Sequence, residues 1–224
     1  MLKEMVTFNE PKSPAAEAFR TLRTNLQFST IDDSLKSLII TSSGPGEGKS
    51  TVITNLAITM AQNGKRVLIL DCDLRKPTLY KKLGLPNNIG MTNILIQEKK
   101  LDECIIETKI SNLYAITSGP VPPNPAELLN SKRMERLLRE LEGIFDIILI
   151  DAPPVIAVTD AQILSRMCSG TMLLTCYGKT EKEAIIKAKD LIVKSGGNLI
   201  GVVLNKVPRT SSGYYGKYYG EYYE

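Results

Sequence analysis

The stretch SLIITSSGPGEGKST, residues 37–51, constrains this chain more than any other. A short isoleucine-rich run reads as a buried strand, a glycine-rich turn follows it, and a helical pattern begins at Gly48. Strand, glycine-rich turn and helix, in that order, aim backbone N–H groups and a helix N-terminus at phosphate oxygens. Gly46 and Gly48 permit the tight backbone path, Lys49 can reach the β- and γ-phosphates, and the Ser50 hydroxyl can ligate Mg²⁺. Gly44, Glu47 and Thr51 complete the candidate nucleotide-binding loop. One departure is visible, since Ser43 stands where G-x-x-x-x-G-K-[ST] has its first glycine.

Acidic residues at two other strand ends corroborate a nucleotide site. Asp71 and Asp73 lie in LILDCDLRKP and Asp151 in IILIDAPP. The C-terminal ends of strands are where ligands collect in open α/β sheets. A magnesium ion bridging phosphates needs carboxylates, or waters bound by them, around it. An isolated acidic residue at a strand end is as readily a helix cap or a turn. Three beside a phosphate loop read as a site. Arg75 and Lys76 can neutralise phosphate charge or form a salt bridge to a neighbouring helix. Asn205, closing GVVLN, stands where a base can be contacted or where a turn forms.

The remaining pattern sets the fold class. The runs RVLILD, NLYAITS, FDIILID, GTMLLTC and NLIGVVLNKV read as further strands, and helical patterns run over Gly48–Gln62, Ala126–Glu142, Asp160–Cys168 and Glu181–Ser195. Continuous apolar strands separated by helices predict an α/β fold, a mostly parallel central sheet covered by helices on both faces. No linker divides the chain, so residues 1–207 are expected to form one domain and 208–224 a flexible tail. In PPNPAELL, Asn124 is expected to cap a helix that has Pro125 at its first position.

Composition removes several functions. Histidine is absent, which excludes a Ser-His-Asp triad, His-ligated zinc and the H-R-D loop of eukaryotic protein kinases. The richest apolar run, FDIILIDAPPVIAV, is broken by Asp146, Asp151 and two prolines, so no stretch reaches the roughly 18 residues of a membrane span. The start has no apolar leader segment. Cys72, Cys104, Cys168 and Cys176 form no C-x-x-C pair and read as buried thiols of a reducing cytoplasm. A net charge of +4 from 28 basic and 24 acidic residues does not demand nucleic acid as a partner.

The two ends stand apart from the sheet pattern. In SPAAEAFRTLRTNLQF, helical spacing over about 14–28 puts Phe19, Leu22 and Leu26 on one side and Glu17, Arg20 and Arg23 on another. Those three charges suit a solvated face or a contact. The chain closes with SGYYGKYYGEYYE, where Tyr214, Tyr215, Tyr218, Tyr219, Tyr222 and Tyr223 crowd among glycines with almost nothing aliphatic to pack against. Tyrosine usually contributes by burying its ring, so these six need another explanation.

Taken together, EAFRTLRTNL, PGEGKST, LILDCDLRKP, PPNPAELL, ILIDAPPVIAVTDA and the terminal tyrosines resemble the cytoplasmic kinase domain of bacterial tyrosine kinases, the P-loop kinases of capsular and exopolysaccharide systems. The resemblance covers nearly the whole chain. It implies Lys49 as the Walker A lysine, Ser50 as the magnesium hydroxyl, Asp71 and Asp73 as the Walker A′ pair, and Asp151 as the Walker B aspartate. It also implies an E-x-x-R-x-x-R motif at Glu17, Arg20 and Arg23 that assembles subunits into a ring. The Ser43 departure agrees with the family, whose loop often carries serine before P-G-E-G-K-S. The implied chemistry is ATP-dependent phosphorylation of protein tyrosines, with Mg²⁺, by a cytoplasmic chain recruited to the inner face of the membrane through the tail of a transmembrane activator.

On this reading the tyrosine cluster is the phosphoacceptor, and Asp73 or Asp71 is the base, with no sequence basis for choosing between them. From Pro208 to Tyr218 an extended chain reaches about 33 Å, enough for its own site or a neighbour's. A ring favours transfer between subunits. Each phosphotyrosine adds about −1.5 to −2 charges, so modification is expected to loosen the assembly. The alternative is a P-loop ATPase switch of the partitioning and positioning type, with the tail as a binding element. That branch carries a lysine at the position of Gly44, and its absence argues against it.

Overall fold

The computed structural model describes residues 5–29 and 35–208. The first elements are helices α1 (Val6–Asn9) and α2 (Pro14–Phe28), strand β1 (Ser37–Ser42), helix α3 (Lys49–Gln62) and strand β2 (Val67–Asp71). Next come helices α4 (Leu79–Leu83) and α5 (Met91–Leu95) and strands β3 (Ile106–Glu107) and β4 (Leu113–Ile116). The second half holds α6 (Pro125–Leu129), α7 (Lys132–Glu142), β5 (Ile147–Asp151), α8 (Asp160–Met167), β6 (Gly170–Cys176), α9 (Lys182–Lys194) and β7 (Leu199–Asn205). The strands form one sheet in the order β3-β4-β2-β5-β1-β6-β7, parallel except for the edge pair of β3 and β4. The expected mostly parallel α/β architecture is therefore the observed one.

Strand alternation sends side chains to two separate cores. On one face Ile39, Leu68, Leu70, Ile148, Ile150 and Leu173 pack with α5, α7, α8 and α9. On the other, Leu38, Ile40, Ile69, Leu149, Met172 and Leu174 pack with α3, Leu26 of α2, and Leu79 and Leu83 of α4. Helix α3 is buried without a break from Val52 to Ala61, because α1 and α2 cover the side that the sheet does not. That cover explains why its sequence is apolar nearly all round. The Tyr114 and Phe145 rings pack at 5.4 Å beneath the Arg66 guanidinium, at the end of the sheet away from the phosphate loop.

Helix α2 spans the expected residues, with the Ser13 hydroxyl accepting from the Ala16 N–H. The helix expected over Ala126–Glu142 is instead two, α6 and α7, separated at Asn130 and Ser131. Ser131 caps α7 by accepting from the Met134 N–H at 3.2 Å, so the backbone restarts there. Asn124 does occupy the N-cap of α6 ahead of Pro125, but its side chain caps nothing and donates to Glu127 Oε2 at 2.7 Å. The four cysteines are free and buried, as expected. Among the described residues no helix is long and apolar enough to cross a membrane.

Candidate active site

The loop between β1 and α3 is built as a cradle. Gly48 sits at φ +105°, and a Cβ there would come within 2.4 Å of Asn205 Nδ2, so both backbone conformation and space require glycine. Gly46 is also left-handed, at φ +73°. Ser43 is buried, and its hydroxyl donates to Glu47 Oε1 at 2.8 Å. The same carboxylate oxygen accepts from Thr180 Oγ1 at 2.8 Å. Serine replaces the usual glycine because its hydroxyl holds a buried glutamate that pins the loop to the β6–α9 connection. From the other side, Asn205 Nδ2 donates to the Glu47 carbonyl at 2.8 Å and Lys206 Nζ to the Gly46 carbonyl at 2.9 Å.

Lys49 opens α3 and turns back over the loop, donating from Nζ to Ser42 Oγ at 3.2 Å. Ser50, next along, lies 3.1 Å from Thr78 Oγ1, and its hydroxyl helps to hold the Asp151 carboxyl down. Thr51 follows it in the first turn of α3.

The acidic residues converge on the same edge. Asp71 and Asp151 end neighbouring parallel strands and are paired in register. Both are buried, and Asp71 Oδ2 and Asp151 Oδ1 have no hydrogen-bond partner. Burial, then the charges of Asp151 and Asp73, raise the Asp71 carboxyl well above the usual range. Burial pushes Asp151 up to about 6, against the Ser50 hydroxyl and the Lys49 ammonium, which hold it down. Asp73 is only part-buried, and burial raises its pKa while the Lys76 N–H and Lys49 oppose the rise.

Two buried carboxylate oxygens with no donor form a costly arrangement for the protein alone. It suits a divalent cation. Among the described residues no group of three or more acidic, His or Cys side chains could hold an ion by itself. Magnesium ordinarily keeps several waters and uses one or two carboxylates together with substrate phosphates. Ser50, Asp151, Asp71 and Asp73 are the residues that would hold it, directly or through water.

The loop residues 44–51, Asp71, Asp73, Asp151 and Asn205 thus lie at one sheet edge, with differences in role. Asn205 spends its amide nitrogen on the loop backbone. Arg75 makes a bidentate pair with Asp160 of α8, at 2.8 and 3.0 Å. Thr78, Thr180 and Lys206 also belong to the site's frame, and the sequence reading missed all three. Only their nearness in the fold links them to the loop. Of the α2 charges, Arg20 pairs with Glu17 and donates to the Pro11 carbonyl, while Arg23 turns inward to the Thr59 carbonyl of α3 at 2.9 Å. The six tail tyrosines lie outside the described residues.

Comparison with known proteins agrees with this geometry. The family described as AAA domain matches residues 35–180. The tyrosine-protein kinase YwqD of Bacillus subtilis (strain 168) is 43% identical over 220 residues, covering 98% of this chain and 92% of that one. The crystal structure of the chimerical protein CapA2B2 superposes with a TM-score of 0.88 at 40% identity, covering 93% of this chain and 92% of that one. The septum site-determining protein MinD of Pyrococcus horikoshii OT3, solved with Mg-ADP, reaches a TM-score of only 0.66 at 26% identity, covering 79% of this chain and 72% of that one. The positioning-ATPase branch therefore shares the fold at a greater distance than the tyrosine kinases do.

Proposed function

This chain belongs to the bacterial tyrosine-protein kinases, and from that premise we propose that it transfers the γ-phosphoryl group of ATP to its own C-terminal tyrosines, between subunits of a ring, as a control on capsular or exopolysaccharide synthesis. The observation that carries the reading is the convergence of Lys49, Ser50, Asp71, Asp73 and Asp151 on one sheet edge, with two buried carboxylate oxygens left without donors.

In the proposed reaction a tyrosine hydroxyl oxygen attacks the γ-phosphorus, the bond to the β–γ bridging oxygen breaks, and ADP leaves. Catalysis rests on positioning and charge neutralisation. The loop N–H groups and Lys49 hold the phosphates, and magnesium would add its charge where the leaving oxygen becomes negative. Asp73 is the better placed base, because Asp71 is wholly buried whereas Asp73 is part-exposed and burial makes it more basic. It takes the tyrosine proton. Asp71 and Asp151 set the ion's surroundings.

The acceptor reading is supported by the contacts of the last strand's end: Asn205 and Lys206, shortly before Pro208, are both bonded to the phosphate loop. The outward Glu17 and Arg20 pair supports a contact between subunits, with Arg23 anchoring α2 on its own α3. Recruitment to the membrane through a transmembrane activator completes the proposal.

The test mixes two chains. One carries Lys49→Met and an intact tail; the other is active and lacks residues 209–224. Phosphotyrosine on the Lys49→Met chain is the expected result. A mixture that labels nothing, beside a wild type that labels itself, contradicts transfer between subunits. Wild-type labelling of Lys49→Met alone contradicts the mechanism.

A further inference from the structure

We propose that Thr78 is a positioning residue for magnesium, acting through the Ser50 hydroxyl. The inference rests on the nucleotide-site reading and adds a residue from outside the motifs. Thr78 is the N-cap residue of α4, a position where threonine ordinarily accepts a hydrogen bond from its own helix. Here the side chain makes no cap bond. Its hydroxyl instead reaches Ser50 Oγ, 28 residues away in sequence, at 3.1 Å.

Either hydroxyl can be the donor of that bond. Ser50 has one hydroxyl proton and two acceptor sites, so in both directions at least one of its lone pairs stays open to a cation while the contact with Thr78 holds the hydroxyl's orientation.

The rest of α4 agrees with this role. Leu79 is fully buried in the core under α3, which fixes Thr78 in place. Lys82, four residues on and therefore on the same helix face, acts electrostatically on Asp151. One short helix thus brings a hydroxyl to Ser50 and a lysine charge that acts on Asp151. Removing the hydroxyl frees Ser50 to rotate, so metal-dependent binding should weaken while metal-independent binding does not.

The experiment titrates Mg²⁺ into the full chain with a fluorescent ADP analogue, comparing wild type, Thr78→Val and Thr78→Ser. Losing one hydrogen bond to the metal's hydroxyl predicts a five- to tenfold rise, roughly, in the Mg²⁺ concentration needed for half-maximal binding of the analogue by Thr78→Val. Affinity in EDTA should stay unchanged, and Thr78→Ser should restore the wild-type titration. Because the hydroxyl caps nothing, Thr78→Val should melt with wild type in EDTA. Wild-type Mg²⁺ dependence in Thr78→Val, failure of Thr78→Ser to restore it, or a lowered melting temperature of Thr78→Val would each overturn the proposal. A wild type that binds the analogue without any Mg²⁺ effect would overturn the magnesium site and this inference with it.

Discussion

Replacing Asp151 by asparagine should stabilise the ligand-free protein and cripple its response to magnesium nucleotide. In the fold the Asp151 carboxyl is pushed up to about 6, chiefly by burial, against about 3.9 in an unfolded chain. The folded state therefore binds the proton more tightly. Stability is greatest below about pH 4 and falls as the pH rises through about 6. Two units correspond to about 3 kcal/mol lost by neutral pH. Asparagine carries no charge to bury. It also removes the repulsion that Asp151 exerts on Asp71.

The variant should exceed wild type at pH 8 by up to about 3 kcal/mol, a rise in melting temperature of about 6–12 °C for a chain of this size. Near pH 4 the two should coincide. With Mg·ADP at a hundredfold excess over its dissociation constant, wild type gains about 2.7 kcal/mol. Asp151→Asn should gain much less, so the difference between them closes. Thermal melts at pH 4 and pH 8, with and without Mg·ADP, measure all of this. An Asp151→Asn protein that melts below wild type at pH 8 without ligand, or one stabilised equally by Mg·ADP, refutes the reasoning.

Other residues give further expectations. Arg75→Ala leaves the fully buried Asp160 carboxylate without its bidentate partner and should cost about 3 kcal/mol, the lower end of the usual range because the arginine is part-exposed; urea denaturation reads it. Gly48→Ala, strained at φ +105° and pressed against Asn205, should abolish binding of a fluorescent ADP analogue, and retained binding would show that the loop can relax. Arg23→Ala, which loses its bond to the Thr59 carbonyl, should lower stability by about 1.5–3 kcal/mol. Arg20→Glu should instead reduce the assembled mass in light scattering with little change in melting temperature.

The features that the sequence shows best are those written in contiguous residues. The strand, turn and helix over Ser37–Gln62 and the apolar runs ending in Asp71 and Asp151 carry their own periodicity, so the sheet and the acidic edge were legible. Helices α4 and α5 were not, because each is five residues long and too short to show a helical period. The two-helix break at Ser131 was masked by amphipathic spacing that runs on across it. Within the candidate site, motif spacing anticipates that Lys49, Ser50 and the three aspartates stand at the same ends of β1, β2 and β5. The roles of Ser43, Thr180, Lys206 and Thr78 were not legible, since each depends on a partner that only the fold brings near. Arg75 had two readings in the sequence, and its pairing with Asp160 of α8 favours the structural one.

The central claim, transfer of phosphate to the chain's own tail, is tested most directly by incubating the protein with ATP and Mg²⁺ and measuring intact mass followed by site mapping. Stepwise additions of single phosphates, mapped to Tyr214, Tyr215, Tyr218, Tyr219, Tyr222 or Tyr223, are predicted. ADP release with no gain in mass would contradict the claim and favour the nucleotide-switch alternative.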